Sequence, residues 1–468
     1  TANIASRTTR TASDVTKYFQ TVLYEGNGAG QRVGAFQPFT DTFTVAKSAL
    51  FPTSNGNLSK TFGSAGNQKK WTFSAWLKKC ANGAYLNVLR TSHGNDTAIQ
   101  FTDSDKLQFY VYDGSSYLTN LITTDVYKDA SQWMHVVLKW DSTPSTPSAS
   151  SVAIYINGSQ VTALDTAVYP SQNVDSGWNG DGAQTIGIEG TNFDWDGYMS
   201  EVTFIDGSAL EPSSFGQTDT STNRWIPKAV TGLTYGTNGF YLDFSNGSDL
   251  GEDQKNSNDW TNNNSVAQST DSPTTNWAVL NPNNKASQVV LSIGNTQLGT
   301  TVASIYSALC TLPMTTGKYY FEVEDVSSDG TYPVIGVASA AANVTGNNEL
   351  GDAAVGGIGY RASGAVTQGG STIQSYASWS SATNVAGCAY DADTGQVWFR
   401  ASAGWNGDPA AGTGAAGVLS TTAEKSAFFG VSGYTHSTSA TPRTIFKEDG
   451  WTYSAPTGFV ALSQDNMT

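Results

Sequence analysis

The sequence predicts an all-β protein made of antiparallel β-sandwiches, and its composition and its turns both support this. The 468 residues contain 48 Gly, 13 Trp and 21 Tyr, which suit tight turns and pleated surfaces. No long stretch has apolar residues at helical spacing. Leu107–Tyr112 alternates as a strand does and ends in Asp113-Gly114. Residues 151–156 end in Asn157-Gly158, so each run predicts a strand entering a tight hairpin.

The bulk properties exclude several classes of function. The formal net charge is -15, and without a basic stretch the chain is not expected to bind nucleic acid. No apolar run approaches the ~20 residues of a membrane helix, and residues 1–20 contain no apolar segment of a secretory signal. The 3 cysteines lie far apart, so we expect free buried thiols, as in a protein assembled in a reducing cytoplasm.

Residues 45–215 contain a series of tryptophan-anchored strand sequences. They are Trp71–Trp76, Gln132–Trp140, Val152–Gly158 and Phe193–Ile205, followed by Ala209-Leu-Glu-Pro212. In content and order this region resembles the laminin G-like, concanavalin A-type jelly roll. That resemblance implies a recognition module, so binding is expected rather than catalysis.

Residues 286–468 carry a second set of strand sequences. They are Gly317–Glu324, Val334–Ala338, Gly357–Tyr360, Asn384–Phe399 and a closing segment from Phe446 to Leu462. This region resembles a SPRY domain, which implies a second jelly-roll β-sandwich in tandem with the first. A long insertion from Ala403 to about Gly417 departs from the SPRY pattern, and we interpret it as a candidate specificity loop.

The remaining segments predict a connector and an attachment region. Residues 216–285 are rich in Asn, which favours irregular structure, although Trp260 and Trp277 predict that the tract is pinned to a domain. The tract resembles the connector before SPRY domains in proteins of marine bacteriophages. Residues 1–44 are too short for a core and resemble the N-terminal pieces by which phage fibres attach to the virion.

Taken together, the resemblances imply a phage virion appendage, either a tail fibre or a surface spike. It would lie on the virion surface, contact other virion proteins through its N-terminus and bind a host surface glycan or receptor. It would form a homo-oligomer, with a trimer favoured. A capsid decoration protein with a mainly structural role is the alternative, and a polysaccharide depolymerase is a third hypothesis.

The carboxylates argue against an enzyme. A retaining glycosidase needs two carboxyl groups about 5–5.5 Å apart, which on a strand means positions i and i+2. Glu322 and Glu324 have this spacing, but they lie in the SPRY-like strand, where we expect them to line the solvent face. The first sandwich has no such pair in its central strands, so we predict no catalytic residues and no required cofactor.

An acidic turn in the first sandwich predicts the only metal ligands that we single out. Asp194 and Asp196, followed by Gly197, offer clustered oxygens of the kind that Ca²⁺ requires. The alternative is a turn that Asp side chains stabilise without any ion.

A five-residue motif occurs once in each predicted sandwich. Gly-Trp-Asn-Gly-Asp spans residues 177–181 and again 404–408. An Asn-Gly turn that holds a tryptophan outward can present an aromatic face to a sugar or a partner. The candidate ligand-binding residues are therefore Trp178, Asn179, Asp181, Trp405, Asn406 and Asp408. The alternative is that each tryptophan folds back and seals the edge of its own sandwich.

Overall fold

The computed structural model describes residues 43–52, 56–187, 193–263, 266–302, 304–325, 333–379, 384–434 and 441–467. These residues form two β-sandwiches in tandem, each made of two sheets. The predicted all-β fold class is therefore confirmed. The attachment segment, residues 1–44, lies outside the described residues except for its last two positions.

Two eight-stranded sheets form the first sandwich. Its strands are β1 (Ser48–Phe51), β2 (Asn57–Thr61), β3 (Lys70–Lys79), β4 (Leu86–Thr91), β5 (Asp96–Phe101), β6 (Lys106–Tyr112), β7 (Tyr117–Val126), β8 (Met134–Asp141), β9 (Ala153–Ile156), β10 (Ser159–Gln160), β11 (Leu164–Val168), β12 (Ala183–Ile186), β13 (Gly197–Asp206), β16 (Phe240–Leu242), β17 (Thr261–Asn263) and β18 (Ala267–Ser269). A 3-10 helix (Pro212–Ser214) and a two-stranded sheet of β14 (Gly216–Thr218) and β15 (Trp225–Pro227) lie between β13 and β16 in the chain.

The order of the first sheet is β10-β9-β8-β3-β13-β1-β18, with β16 paired to β13, and that of the second is β11-β7-β6-β5-β4-β12-β2-β17. Alternation explains the core: Ile99 and Phe101 of β5 and Phe109 of β6 face the inside, since successive side chains of a strand point to opposite faces. The predicted hairpin after β9 is also found, with φ of +48° at Asn157 and +77° at Gly158. Both angles suit the two-residue turn that Asn-Gly favours.

The predicted connector is wrong as a separate segment, because most of it belongs to the first sandwich. β16 pairs with β13, β17 with β2 and β18 with β1. Phe240, Leu242, Trp260 and Val266 are buried in the same core as the strands before residue 215. Two sheet edges, at β18 and β17, and the strand β16 beside β13 are therefore supplied by residues that follow their pairing partners by tens to hundreds of positions in the chain.

The second sandwich pairs a seven-stranded sheet with a nine-stranded one. Its strands are β19 (Leu280–Lys285), β20 (Val289–Ser292), β21 (Gln297–Thr300), β22 (Ile305–Cys310), β23 (Lys318–Glu324), β24 (Val334–Ser339), β25 (Gly357–Arg361), β26 (Ala365–Gln368), β27 (Ser371–Ser375), β28 (Val385–Asp391), β29 (Gln396–Ala401), β30 (Gly404–Trp405), β31 (Gly417–Val418), β32 (Ala427–Tyr434), β33 (Arg443–Ile445) and β34 (Val460–Ala461). Helix α1 (Thr422–Lys425) and two 3-10 helices (Glu448–Gly450 and Gln464–Asn466) complete the described elements.

The sheet orders of the second sandwich are β19-β22-β32-β24-β25-β26-β27 and β20-β21-β33-β23-β28-β29-β30, with β31 on β29 and β34 on β23. β19 begins before residue 286, so the second sandwich starts earlier than predicted. The expected closing strand after Phe446 is mostly irregular, and only Val460–Ala461 pairs with β23. The insertion from residue 403 folds back on its own sheet, because β30 and β31 both pair with β29.

A buried polar cluster joins the two sandwiches. The Nζ of Lys78 in β3 lies 2.7 Å from Asp271 Oδ2, 2.8 Å from Asn276 Oδ1 and 2.7 Å from the carbonyl oxygen of Trp277. The side chains of Lys78 and Asp271 are 0% and 1% exposed. Trp133 Nε1 donates to the other carboxylate oxygen of Asp271 at 2.9 Å. Because a buried charge needs its partners, this cluster fixes the chain between β18 and β19 against the first sandwich.

Candidate functional site

In the first copy of the Gly-Trp-Asn-Gly-Asp motif, the tryptophan belongs to the core. Trp178 is 0% exposed and stacks on Trp260, with ring centroids 6.2 Å apart. Asn179 is also buried and donates to Asp206 Oδ1 at 2.7 Å. Only Asp181 is exposed. The prediction that Trp178 and Asn179 contact a ligand is therefore wrong, because Trp178 packs in the core and Asn179 is buried and holds the loop through Asp206.

In the second copy, the tryptophan lies at the surface of its sandwich. Trp405 is half-buried, with its ring centroid 5.8 Å from that of Tyr320. Asn406 is structural: its Oδ1 accepts from the backbone N–H of Phe399 at 2.6 Å, and its Nδ2 donates to the Gly414 carbonyl at 3.0 Å. Asp408 is exposed and accepts from the backbone N–H of residue 411. Trp405 thus stays a candidate contact, and Asn406 holds the loop.

The two predicted Ca²⁺ ligands precede β13. Asp196 is 3% exposed, and its Oδ1 has no hydrogen-bond partner in the described ranges of the chain. Burial raises the pKa of Asp196 to about 7, while the Lys79 ammonium opposes this shift and the Asp194 carboxylate adds to it. Among the described residues, no group of three or more His, Cys, Asp or Glu side chains could hold a metal ion. Ca²⁺ binding at Asp194 and Asp196 stays a prediction.

A cavity that the sequence did not predict lies where the first sandwich meets the C-terminal 3-10 helix. We call it the tryptophan pocket. It encloses about 170 Å³ and is lined by Trp76, Gln132, Trp133, Asn157, Arg224, Trp225, Pro273 and Gln464. At ~30 Å³ per water molecule it has room for a handful of waters or for one sugar ring. Aromatic walls with a few convergent polar groups are typical of binding pockets.

Two tryptophans that line the tryptophan pocket, Trp76 and Trp225, contact the buried ring of His135. His135 of β8 lies opposite Trp76 of β3, and their ring centroids are 4.9 Å apart. The ring centroid of Trp225 lies 6.0 Å from that of His135, and Trp225 Nε1 donates to His135 Nδ1 at 2.9 Å, so these two rings meet edge to edge. The second ring nitrogen of His135 lies 2.8 Å from Ser74 Oγ. Since Nδ1 accepts, Nε2 carries the proton and donates to Ser74, so the imidazole is neutral.

The neutral state of His135 is strongly enforced. Burial lowers the pKa of His135 to about 3, so the ring stays uncharged throughout the physiological range. Two glycines leave room for the indole that donates to His135: a Cβ at Gly158 would lie 2.3 Å from the Trp225 ring, and one at Gly216 would lie 2.6 Å from that ring. Trp225 can therefore occupy this position only because Gly158 and Gly216 have no Cβ atom.

Two residues that line the tryptophan pocket carry N–H donors that no described residue accepts. Trp76 Nε1 and Gln132 Nε2 are buried and have no hydrogen-bond partner in the described part of the chain. The Arg224 guanidinium donates to the side-chain oxygen of Gln464, at 2.7 and 3.1 Å, when that amide is oriented by its hydrogen bonds. A buried donor without an acceptor is costly, so the pocket favours a ligand that brings oxygen acceptors.

A second polar surface is less suited to binding. Gln100, Gln108 and Asn120 lie on the face of the second sheet that points away from the core, and they are only 6 to 8% exposed. Gln100 Nε2 donates to Gln108 Oε1 at 2.8 Å, and Gln108 Nε2 donates to Asn120 Oδ1 at 2.9 Å. Because these amides largely satisfy one another, they offer a ligand less than the tryptophan pocket does.

Glu322 and Glu324, whose spacing suits a glycosidase pair, both have partners within the second sandwich. Glu322 is 0% exposed, which corrects the expectation that it lines the solvent face. Its oxygens accept from the Tyr320 hydroxyl at 2.7 Å and from the backbone N–H groups of Thr452 and Tyr453 at 2.6 and 2.8 Å. Glu324 forms an ion pair with Arg443.

Comparison with known families bears on the first sandwich. Residues 53–214 match the family model described as the concanavalin A-like lectin/glucanases superfamily. This confirms the predicted concanavalin A-like, laminin G-type sandwich over that span. No curated protein matches the chain.

Several solved structures are similar to parts of the chain. The SPRY domain of human HERC1 is 17% identical, with 36% of this chain and 96% of that chain covered and a TM-score of 0.29. A proposed carbohydrate-binding protein from Bacteroides ovatus is 17% identical, with 49% and 61% covered and a TM-score of 0.34. A pentraxin from Limulus polyphemus is 18% identical, with 36% and 80% covered and a TM-score of 0.27.

Proposed function

We propose that this protein binds saccharides without cleaving them, and that one sugar ring occupies the tryptophan pocket. The observation that carries this proposal is the pair of unused donors, Trp76 Nε1 and Gln132 Nε2, in an aromatic-walled cavity of about 170 Å³. Sugar hydroxyl and ring oxygens accept hydrogen bonds, and the C–H face of a sugar ring packs against an indole. The lectin-like family match of residues 53–214 agrees with this proposal.

The absence of catalysis is part of the proposal. Both oxygens of Glu322 already accept hydrogen bonds, and Glu324 is paired with Arg443, so neither is placed to act as an acid or a nucleophile. We expect no new reducing ends when the protein is incubated with a surface polysaccharide. Steady release that is lost in Glu322→Gln or Glu324→Gln would instead establish a depolymerase.

The biological setting that we propose is the phage virion surface, with the protein as a tail fibre or surface spike. The N-terminal segment would contact other virion proteins, and an oligomer, with a trimer favoured, would raise avidity for weakly bound glycans. The alternative is a capsid decoration protein with a mainly structural role. A cryo-EM map of the particle separates the two: density at the tail supports the appendage, and density over the whole capsid supports the decoration protein.

A glycan array tests the binding function directly. We expect the wild-type protein to retain a subset of bacterial surface saccharides and Gln132→Ala to bind them about 3- to 10-fold more weakly, since one hydrogen bond is lost. The Gln132 amide nitrogen has no partner among the described residues, so the melting temperature of Gln132→Ala is expected to equal that of the wild type. Gln160→Ala is the matched control, because this glutamine is exposed on β10 and does not line the pocket.

A further inference from the structure

One arginine of the second sandwich forms no salt bridge among the described residues, unlike several other arginines. Arg90, Arg361 and Arg443 each pair with a carboxylate, those of Asp96, Glu349 and Glu324. Within the described residues, Arg400 of β29 forms neither an ion pair nor a hydrogen bond, and its Nε is buried without a partner. The nearby Glu322 carboxylate feels the Arg400 charge, which opposes the rise of the Glu322 pKa that burial causes, but its oxygens accept from other donors. The N–H groups of Arg400 therefore stay without an acceptor in the described part of the chain.

Aromatic rings hold this guanidinium in place. Its central carbon lies 3.8 Å from the ring centroid of Tyr453 and 5.5 Å from that of Trp405. Cation–π contacts with two rings restrict the guanidinium plane but use none of its N–H groups. The terminal N–H groups of the guanidinium are therefore oriented and still available, whereas Nε is buried.

The surroundings of Arg400 are built to keep it there. Gly387 lies opposite Arg400 in the sheet, and a Cβ at that position would lie 2.4 Å from the Tyr320 hydroxyl and 2.9 Å from Arg400 Cγ. The Glu322 carboxylate accepts from the backbone N–H groups of Thr452 and Tyr453 and thereby places the Tyr453 ring over Arg400. Glu322 thus positions the Tyr453 ring, and its carboxylate oxygens accept from donors other than Arg400.

We propose that Arg400, held by Trp405 and Tyr453, binds the carboxylate of an acidic sugar residue. The planar guanidinium fork matches a carboxylate with two parallel hydrogen bonds, and the half-buried Trp405 offers a face for the attached sugar ring. This inference rests on the proposed saccharide-binding function and adds the charge of the ligand. It also gives the insertion at residues 403–417 a role, since that loop supplies Trp405.

A matched pair of ligands tests the proposal. Titration calorimetry of the full chain uses an oligogalacturonide and the same oligosaccharide with its carboxylates methyl-esterified. We expect the acidic form to bind at least 10-fold more tightly, and Arg400→Gln to weaken it by roughly 10- to 100-fold while hardly changing the ester. Arg400→Lys keeps the charge but loses the fork, so an intermediate loss is expected.

Arg443→Gln is the control, because Arg443 lies in the same sheet but is already paired with Glu324. Equal affinity for the two oligosaccharides, or an unchanged ratio in Arg400→Gln, would overturn the inference. If Gln132→Ala weakened binding while Arg400→Gln did not, the saccharide function would stand and the carboxylate site would be wrong. Binding of neither form would also overturn the inference, and the neutral saccharides of the array would then decide the function separately.

Discussion

The same five residues, Gly-Trp-Asn-Gly-Asp, differ in the burial of their tryptophan between the two sandwiches. In the first, Trp178 is 0% exposed and packs on Trp260 inside the core. In the second, Trp405 is half-buried and lies near the Arg400 guanidinium on the outer side of a sheet. A local motif sets the shape of a turn, but the layer into which the turn folds decides whether its tryptophan is buried in the core or half-exposed at the surface.

Neighbours that are distant in the chain cause this difference. A Cβ at Gly177 would lie 1.9 Å from the Asn95 carbonyl oxygen, so the first loop is pressed against the end of β5 and its tryptophan is directed inward. Gly404, by contrast, has no described atom within 4 Å of its Cβ position, and β30 pairs with the edge of β29. The first loop closes the core, whereas the second lies on top of a finished sheet.

The largest expected effect is on Trp178. Trp178→Ala should lower the free energy of unfolding by about 3–5 kcal/mol, since it empties a buried site. Chemical denaturation measures this. Loss of less than about 1 kcal/mol would show that the first loop is not part of the core.

The two sandwiches also differ in their buried carboxylates. Glu322 of the second accepts hydrogen bonds from three donors, whereas Asp196 Oδ1 of the first accepts none from the described residues. Burial raises the folded-state pKa of Asp196 to about 7, so the unfolded chain ionises first and stability is lost as the pH rises from about 4 to 7. Asp196→Asn should remove this loss and be more stable than wild type at pH 8, on the order of 3 kcal/mol.

Thermal unfolding at pH 4 and pH 8 measures the difference. A wild type whose stability does not fall over this interval relative to Asp196→Asn would contradict the prediction. Repeating the pH 8 scan with CaCl₂ or EDTA tests the predicted Ca²⁺ site: an ion held by Asp194 and Asp196 should raise the melting temperature of the wild type alone.

Trp405→Ala should reverse the pattern of Trp178→Ala. We expect saccharide binding to weaken by about 1–3 kcal/mol, as for an aromatic hot spot, while the melting temperature changes little. Calorimetry and thermal unfolding on the same sample measure both. A strong drop in melting temperature with intact binding would make Trp405 a packing residue like Trp178.

The smallest effect is expected for the last residue of each motif. Asp181→Ala should change the free energy of unfolding by less than about 0.5 kcal/mol, because this carboxylate is exposed and lies 3.8 Å from the nearest His93 nitrogen. Asp408→Ala should cost about 1 kcal/mol, because it removes the acceptor for the backbone N–H of residue 411. Denaturant titration of both variants compares them, and equal values would show that neither loop depends on its aspartate.

Local signals in the sequence explain what could be predicted. β6 and the Asn157-Gly158 hairpin follow from alternation and turn chemistry, which act within a few residues. The pairing of β18 with β1 could not be seen, because it joins residues more than 200 positions apart. Nothing in the sequence marks such partners.

The tryptophan pocket was missed for the same reason. Trp76 and Trp133 lie in strand sequences that can be predicted. Their neighbours in the pocket, Trp225 and Gln464, come from the predicted connector and from the C-terminal part of the chain. The register that places Trp76 opposite His135 exists only once β3 and β8 pair. That Trp76 Nε1 lacks a partner among the described residues can be seen only after these strands have assembled.

The most direct test of the central claim is the crystal structure of the protein soaked with a saccharide selected on the array. We predict density for one sugar ring in the tryptophan pocket, with oxygen atoms within hydrogen-bond distance of Trp76 Nε1 and Gln132 Nε2. Density only on the amide row of Gln100, Gln108 and Asn120, or an empty pocket at saturating saccharide, would contradict the account.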